Sequence, residues 1–157
     1  MFIELEPIFN NEGAEKQFSY EFQLDGSDAV KSVKAIGSVK NRTGIVSLNA
    51  QVSFVIDTLC DRCAASVKRE MSIPVDHILV SSLNDEDNDD FWLVESMNFN
   101  VDELIREDVL LSLPAKILCR EDCKGICTMC GANLNEKQCG CKKPVDPRLE
   151  ALKKFLD

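Results

Sequence analysis

Eight cysteines in short-spaced groups constrain this chain more than any other feature of its sequence. They form three clusters: Cys60-x-x-Cys63; Cys119-x-x-x-Cys123; and Cys127-x-x-Cys130 followed by Cys139-x-Cys141. Short spacing lets two sulfurs approach one ion from neighbouring backbone positions, and structural zinc is held by a closed tetrahedron of four ligands. Eight thiolates fill two such tetrahedra. The sequence therefore predicts two structural zinc ions, with all eight cysteines as ligands.

The spacing leaves two ways to divide the cysteines between the ions. In the preferred division, one site closes within a single loop and contains Cys127, Cys130, Cys139 and Cys141. The other site then joins two distant segments through Cys60, Cys63, Cys119 and Cys123. In the competing division, Cys119, Cys123, Cys127 and Cys130 share an ion, while Cys60 and Cys63 meet Cys139 and Cys141. Gly131 favours a knuckle after Cys130, because a tight turn with a permissive residue points backbone amides at sulfur.

The predicted compartment favours metal binding over disulfides. Residues 1–17 contain acidic groups and a proline where a secretory signal needs a basic start and an unbroken apolar run. No stretch approaches the roughly 18 apolar residues of a membrane helix. We therefore expect a cytoplasmic protein without membrane association, in which thiols stay reduced. A chain of 157 residues can also bury an apolar core without cysteine cross-links.

Alternation of apolar and polar residues predicts antiparallel strands along the first half of the chain. Successive faces with a period of two begin at Phe18, Val33, Leu48 and Val67. The stretch Asn41-Arg-Thr-Gly44 predicts a hairpin loop, and Cys60 and Cys63 fall at the tip of a second predicted hairpin. His77 shares a strand face with Ile73, Val75 and Leu79, which predicts a hydrogen-bonded imidazole in the core or at its rim rather than a ligand.

The second half is predicted to contain two helices that flank the cysteine-rich segment. Asn100-x-x-Glu103 resembles a capping box at the start of the first helix, and Pro114 ends it. Asp146 and Pro147 begin a short terminal helix. The expected fold class is α+β. Residues 1–98 form an antiparallel β-rich part that includes the Cys60/Cys63 hairpin, and residues 99–157 supply a helix, a zinc-knuckle segment and the terminal helix, packed as one domain with the first part.

Charge is unevenly distributed along the chain. The sequence carries 27 acidic and 18 basic residues, and a net charge of −9 argues against binding nucleic acid by bulk attraction. Residues 84–108 contain ten acidic residues and one base, and the overlapping stretch Ser82 to Asp90 predicts a solvated acidic loop. Residues 114–157 carry nine basic and six acidic residues, a net +3. The negative net charge therefore favours a basic partner over nucleic acid.

Thiol chemistry is the alternative interpretation of the C-x-x-C motifs. In an oxidoreductase such a motif usually opens a helix after a strand, so that the helix dipole lowers the pKa of the thiol. Cys60-Asp-Arg-Cys63 instead has predicted strands on both sides. No nucleophile and base can be assigned, so we predict no catalytic or cofactor-binding residues and no small-molecule substrate. A thiol- or metal-dependent enzyme that uses these motifs stays the competing hypothesis.

Several ordered motifs carry a family resemblance. They are Cys60-Asp-Arg-Cys63, the helix end Leu113-Pro114, Cys123-Lys-Gly-Ile-Cys127, Cys130-Gly-Ala-Asn-Leu-Asn135, Cys139-x-Cys141 and Asp146-Pro147-Arg148-Leu149. With these motifs the chain resembles the cysteine-rich form of the YceD family, the large ribosomal RNA subunit accumulation proteins. Thr128 departs from the pattern, which has proline inside the knuckle, and this affects only local rigidity.

The resemblance implies a non-enzymatic factor, of bacteria or of organelles derived from them, that promotes large-subunit ribosomal RNA accumulation or ribosome assembly. Combined with the charge division, it predicts a basic ribosomal protein or a large-subunit assembly intermediate as partner, contacted through the acidic region. Contact with ribosomal RNA is expected to be weak at most. Its surface would be the basic segment with Lys142, Lys143, Arg148, Lys153 and Lys154.

Overall fold

A computed structural model describes residues 1–82 and 91–141 of the chain. The chain divides into two compact units. The first, which we call the β unit, comprises Met1–Thr58 and Val67–Ala115; the second, the cysteine unit, comprises Leu59–Ser66 and Lys116–Asp157. Residues 83–90 of the predicted acidic loop and the predicted terminal helix lie outside the described residues. The predicted boundary after residue 98 and the packing of both parts as one domain stay predictions.

The elements confirm the predicted α+β class, with an antiparallel β-rich first part. In chain order they are β1 (Phe2–Glu4), α1 (Glu6–Asn10), β2 (Glu15–Gln23), β3 (Val30–Arg42), β4 (Ile45–Leu59), β5 (Ser66–Val80), β6 (Phe91–Leu93), β7 (Asn98–Asn100) and α2 (Val101–Ser112). Strands β2 to β6 form one sheet in sequential order, and β1 pairs antiparallel with β7 in a two-stranded ribbon. Edge strand β6 departs from the antiparallel pattern, because it runs parallel to β5.

The period of two places the core residues of the main sheet. In β4 the apolar face with Leu48, Val52 and Ile56 is buried, whereas Asn49 and Gln51 between them are exposed. This is the predicted division of that strand. A register shift of one residue would exchange the two faces, so burial of the apolar set also explains why β3 and β4 pair as they do.

The predicted hairpin loop between β3 and β4 is confirmed. Thr43 and Gly44 both have positive φ, at 54° and 84°, and a two-residue turn of this kind matches the twist of the strands it joins. Asn41, just before the turn, is 2% exposed. Its Nδ2 donates to the carbonyl oxygens of Ile8 at 2.8 Å and Phe9 at 3.2 Å, and its Oδ1 accepts from the N–H of Gly44 at 3.0 Å. One amide thus ties α1 to the turn.

Helix α2 begins and ends where the sequence predicts. The side chain of Asn100 accepts from the N–H of Asp102 at 3.3 Å, so the predicted cap is confirmed. Glu103 accepts from the side chain of Asn100 at 3.1 Å, and not from its backbone N–H as in a capping box. The helix ends at Ser112, and Leu113 is extended, as expected of the residue before a proline. Among the described residues, no helix is both long and apolar enough to span a bilayer.

The single histidine lies at the rim of the β unit. His77 of β5 is partly buried, and its Nε2 lies 2.7 Å from Oδ2 of Asp108 on α2. Its ring also meets the edge of Trp92, with 5.6 Å between the ring centroids. The predicted hydrogen-bonded rim imidazole is therefore confirmed, and it links the sheet to the helix.

Asn41 provides a test of this architecture. We expect Asn41→Ala to lower the free energy of unfolding by about 2 kcal/mol, because the buried carbonyls of α1 and the turn N–H lose their partner. Chemical denaturation of both proteins measures the difference. The exposed Asn10→Ala is the control and should change stability by less than about 0.5 kcal/mol. Equal stability of the Asn41 variant and the parent would show that the amide does not hold α1 to the turn.

Candidate metal centre

Four sulfurs converge at the tip of the hairpin between β4 and β5. Sγ of Cys60 lies 3.8 Å from that of Cys123, and Sγ of Cys63 lies 3.6 Å from that of Cys119. All four lie within 4.8 Å of one another. A tetrahedron with Zn–S bonds of about 2.3 Å has sulfurs roughly 3.8 Å apart. The spacing of this first cluster therefore fits a zinc ion, and it is far longer than the roughly 2.05 Å of a disulfide bond.

A second cluster forms within one loop of the cysteine unit. It contains Cys127, Cys130, Cys139 and Cys141, whose sulfurs also lie within 4.8 Å of one another. Cys139 and Cys141, which are separated by a single residue, thus both contribute their sulfurs to the same cluster. All eight cysteines lie in the described residues, and none of them forms a disulfide. The structure groups the sulfurs as the preferred division expects; metal ligation by these residues stays a prediction.

The two C-x-x-C motifs fold into the same local knuckle. In the hairpin, the N–H of Ala64 donates to the carbonyl of Cys60 at 2.9 Å, and the N–H of Cys60 donates to Ala65 at 2.8 Å. In the loop, Gly131 and Ala132 make the equivalent bonds with Cys127, each at 2.8 Å. The fourth residue after the first cysteine is left-handed in both, with φ of 55° at Ala64 and 70° at Gly131.

Backbone amides in each knuckle point at sulfur. Burial disfavours the Cys60 thiolate, but hydrogen bonds from the backbone of Arg62, Cys119 and Cys63 lower the pKa of Cys60 to about 6. In the second cluster, the backbone N–H groups of Cys130 and Met129 lower the pKa of Cys127 to about 6. Each knuckle therefore holds one sulfur that is ready to bind a cation.

The pKa values of other thiols are raised, namely those of Cys63 and Cys119 in the first cluster and of Cys141 in the second. The neighbouring sulfur of Cys63 and burial raise the pKa of Cys119 to about 12. Hydrogen bonding with Cys130 and burial raise the pKa of Cys141 to about 12. Four negative charges cannot share so small a space unless a cation neutralises them, so metal binding and loss of these protons must occur together.

Hydrogen bonds join the hairpin tip to the segment that carries Cys119 and Cys123. The side chain of Asp61 accepts from the N–H of Ile117 at 2.6 Å, and the N–H of Asp61 donates to the carbonyl of Ile117 at 2.9 Å. Arg62 Nη1 donates to the carbonyl of Cys123 at 2.8 Å, and its own carbonyl accepts from Ile126 at 3.2 Å. The first cluster is thus supported by backbone pairing as well as by its sulfurs.

Asn135 connects the two clusters. It lies in the loop of the second cluster, yet its Nδ2 donates to Sγ of Cys123 in the first cluster at 3.3 Å. Its Oδ1 accepts from the N–H of Lys124 and from Nη2 of Arg120, both at 2.8 Å. The side chain of Asn133 in turn accepts from the N–H of Asn135 at 3.0 Å. In the sequence Asn135 belongs to the motif Cys130-Gly-Ala-Asn-Leu-Asn135, and nothing in that motif indicates its contact with Cys123.

Comparison with known families identifies the chain. The family model described as large ribosomal RNA subunit accumulation protein YceD matches residues 48–156, which include both cysteine clusters. This chain belongs to the YceD family. The resemblance predicted from its motifs is therefore confirmed.

Individual YceD relatives are distant. The uncharacterized protein YlbN of Bacillus subtilis is 29% identical over 127 residues, 75% of this chain and 73% of that protein. An uncharacterized protein of Mycobacterium tuberculosis is 28% identical over 101 residues, 62% of this chain and about half of the relative, at 49%. The chloroplastic large ribosomal RNA subunit accumulation protein YCED homolog 1 of Arabidopsis thaliana is 38% identical over 47 residues, 30% of this chain and 15% of that protein. No solved structure matches significantly.

The position of Asn135 generates a prediction. We expect Asn135→Ala to weaken metal binding by the first cluster about 10- to 100-fold, because groups that orient a ligand sulfur contribute on this scale. Competition with a chromophoric chelator measures the affinity of each cluster. Gln138→Ala, an exposed position in the same loop, is the control and should leave both affinities unchanged. Unaltered affinity in the Asn135 variant would contradict the assigned role.

Proposed function

We propose that this YceD protein is a non-enzymatic factor that promotes accumulation of large-subunit ribosomal RNA or assembly of the large ribosomal subunit, with two structural zinc ions. The observation that carries the proposal is the family match over residues 48–156, because that stretch contains both cysteine clusters. The family, described as large ribosomal RNA subunit accumulation proteins, supplies the link to ribosomal RNA. The distances between the sulfurs support zinc as the metal that they would bind.

The proposed ligands are two sets of four cysteines. The first set is Cys60, Cys63, Cys119 and Cys123, and the second is Cys127, Cys130, Cys139 and Cys141. A catalytic zinc ion keeps one position open for water, whereas four protein sulfurs close the coordination shell. A bound zinc ion would supply folding free energy here, since it would hold the hairpin tip against the segment that follows Lys116.

The surroundings of the C-x-x-C motifs argue against a thiol oxidoreductase. Such an enzyme needs one accessible, activated sulfur, usually at the start of a helix. Cys60 and Cys127 have lowered pKa values, but each is less than 10% exposed and each shares its space with three other sulfurs. Neither knuckle opens a helix among the described residues.

We propose a cytoplasmic, bacterial setting with a basic ribosomal protein or a large-subunit assembly intermediate as partner. Charge supports this choice, because the β unit carries 20 acidic and 8 basic residues in the sequence, a net −12. The cysteine unit carries 7 acidic and 10 basic residues, a net +3. Two zinc ions with eight thiolates would add about −4 to it, so ribosomal RNA contact through Lys142, Lys143 and the following basic residues stays weak in this proposal.

Metal content is the direct test of the zinc hypothesis. We expect the purified, reduced protein to carry two zinc ions and no iron, because eight closely spaced thiolates suit two closed tetrahedra. Native mass spectrometry combined with elemental analysis counts and identifies the metal.

Paired substitutions separate the two sites. Cys60→Ser with Cys63→Ser should remove one zinc ion, and Cys139→Ser with Cys141→Ser should remove the other. A parent protein without metal would refute the structural zinc sites. A parent protein that carries iron would show that the sites hold a metal with different chemistry.

Ribosomal RNA levels test the biological role. We expect deletion of the gene to lower mature large-subunit ribosomal RNA relative to small-subunit RNA, because assembly that lacks a factor exposes the precursor to degradation. Quantitative RNA analysis of the deletion strain measures this ratio. The parent gene should restore it, whereas the gene with Cys60→Ser and Cys63→Ser should not, since its hairpin tip lacks the metal. An unchanged ratio in the deletion strain would refute the proposed role.

A further inference from the structure

A groove crosses the β1–β7 ribbon of the β unit. It has a volume of about 410 Å³, and its walls include Phe2, Trp92, Leu93, Glu95 and Glu103. The ribbon creates it because pairing of Ile3 with Phe99 buries those two side chains, which leaves the alternate residues of β1 facing solvent. Phe2 is 62% exposed as a result, and Leu93 is 41% exposed.

Two smaller depressions continue this groove. One of about 290 Å³ adjoins it at Asn98 and adds Glu4 and Glu6. The other, of about 270 Å³, adjoins it at Asn100 and Glu103. We call the three together the ribbon groove. Its charged lining residues are six carboxylates and one guanidinium: Glu4, Glu6, Asp25, Glu95, Asp102, Glu103 and Arg106.

Most of these carboxylates lack a neutralising partner. Asp102 pairs with the terminal amine of Met1, and Glu103 accepts from Asn100. Within residues 1–82 and 91–141, the other four carboxylates form no ion pair. A concave surface lined by one sign of charge concentrates the potential, and exposed aromatic and aliphatic side chains beside it are typical of a binding surface.

We propose that the ribbon groove binds an extended segment of a basic protein, with lysine or arginine side chains on the carboxylates and one apolar side chain between Phe2 and Leu93. The inference rests on the proposed role in ribosome assembly, and it assigns the partner surface that the role requires. Charge complementarity selects the occupant, because the phosphates of RNA would meet six carboxylates that repel them. The apolar side chains in the walls favour a partner segment that also carries an apolar residue over one that is bound by charge alone.

Site-specific photocrosslinking tests the surface. A photoreactive phenylalanine replaces Leu93 in the full-length, zinc-loaded protein, and the control carries it at Ile36, which is 51% exposed on β3 and outside the groove. Each protein is mixed with purified total large-subunit ribosomal proteins and, separately, with large-subunit ribosomal RNA. We expect position 93 to crosslink to a lysine- and arginine-rich segment of one ribosomal protein, identified by peptide sequencing, at about tenfold the yield of position 36.

Three outcomes would overturn the inference: equal yields from both positions, crosslinks chiefly to RNA, or crosslinks to protein segments without basic residues. Charge variants provide an independent measurement on the crosslinked ribosomal protein. Glu4→Gln, Glu6→Gln and Glu95→Gln together should weaken its binding about tenfold and reduce the salt dependence. Glu12→Gln, Asp28→Asn and Glu70→Gln remove the same charge from exposed positions elsewhere in the β unit and should change affinity much less. Equal loss in both sets would leave only a general charge effect and refute the groove.

The two proposals fail in different ways. If deletion of the gene leaves large-subunit RNA unchanged, the proposed role fails whatever the crosslinks show. If deletion lowers that RNA but the groove variant with Glu4, Glu6 and Glu95 replaced restores it fully, the role stands and the groove inference fails.

Discussion

Crowding of four sulfurs at the tip of one hairpin is the interaction on which the cysteine unit depends. Sulfurs 3.6–3.8 Å apart repel one another once they are ionised. Neighbouring sulfurs raise the pKa values of Cys119 and Cys141, whereas backbone hydrogen bonds lower those of Cys60 and Cys127. A divalent cation bound among them would replace this repulsion by attraction and would fix segments that are 56 residues or more apart in sequence.

The two knuckles show how different sequences reach one geometry. Gly131 adopts its left-handed conformation without a steric penalty, whereas Ala64 holds φ of 55° with a Cβ atom present, which costs on the order of 1 kcal/mol. Such strain persists only where the surroundings determine the backbone on both sides. At Ala64 those surroundings are the hydrogen bonds of the knuckle and the paired segment around Ile117.

Acidic residues and cysteines are concentrated in different units of the protein. The acidic residues concentrate in the β unit, and thiolates concentrate in the cysteine unit, whose sequence charge of +3 a pair of zinc sites would offset. Neither unit then presents the dense positive charge that RNA binding needs. In the proposed role, this charge distribution favours recognition of a basic protein over RNA, and the carboxylates of the ribbon groove would offer a surface for it.

The sequence by itself determined the strand faces of the main sheet, the Asn100 cap and the turn after Asn41, because each depends on residues near one another in the chain. It also determined the family, through the ordered set of motifs between Cys60 and Leu149. The sequence left two ways to divide the eight sulfurs between two sites. Only the fold decided between them, because Cys60 and Cys119 are brought together by pairing between segments that are distant in sequence. Tertiary structure alone decided the β1–β7 ribbon and its groove, the buried amide of Asn41 and the contact of Asn135 with Cys123. Three-residue strands and single polar side chains carry too little periodic signal to reveal partners that are distant in sequence.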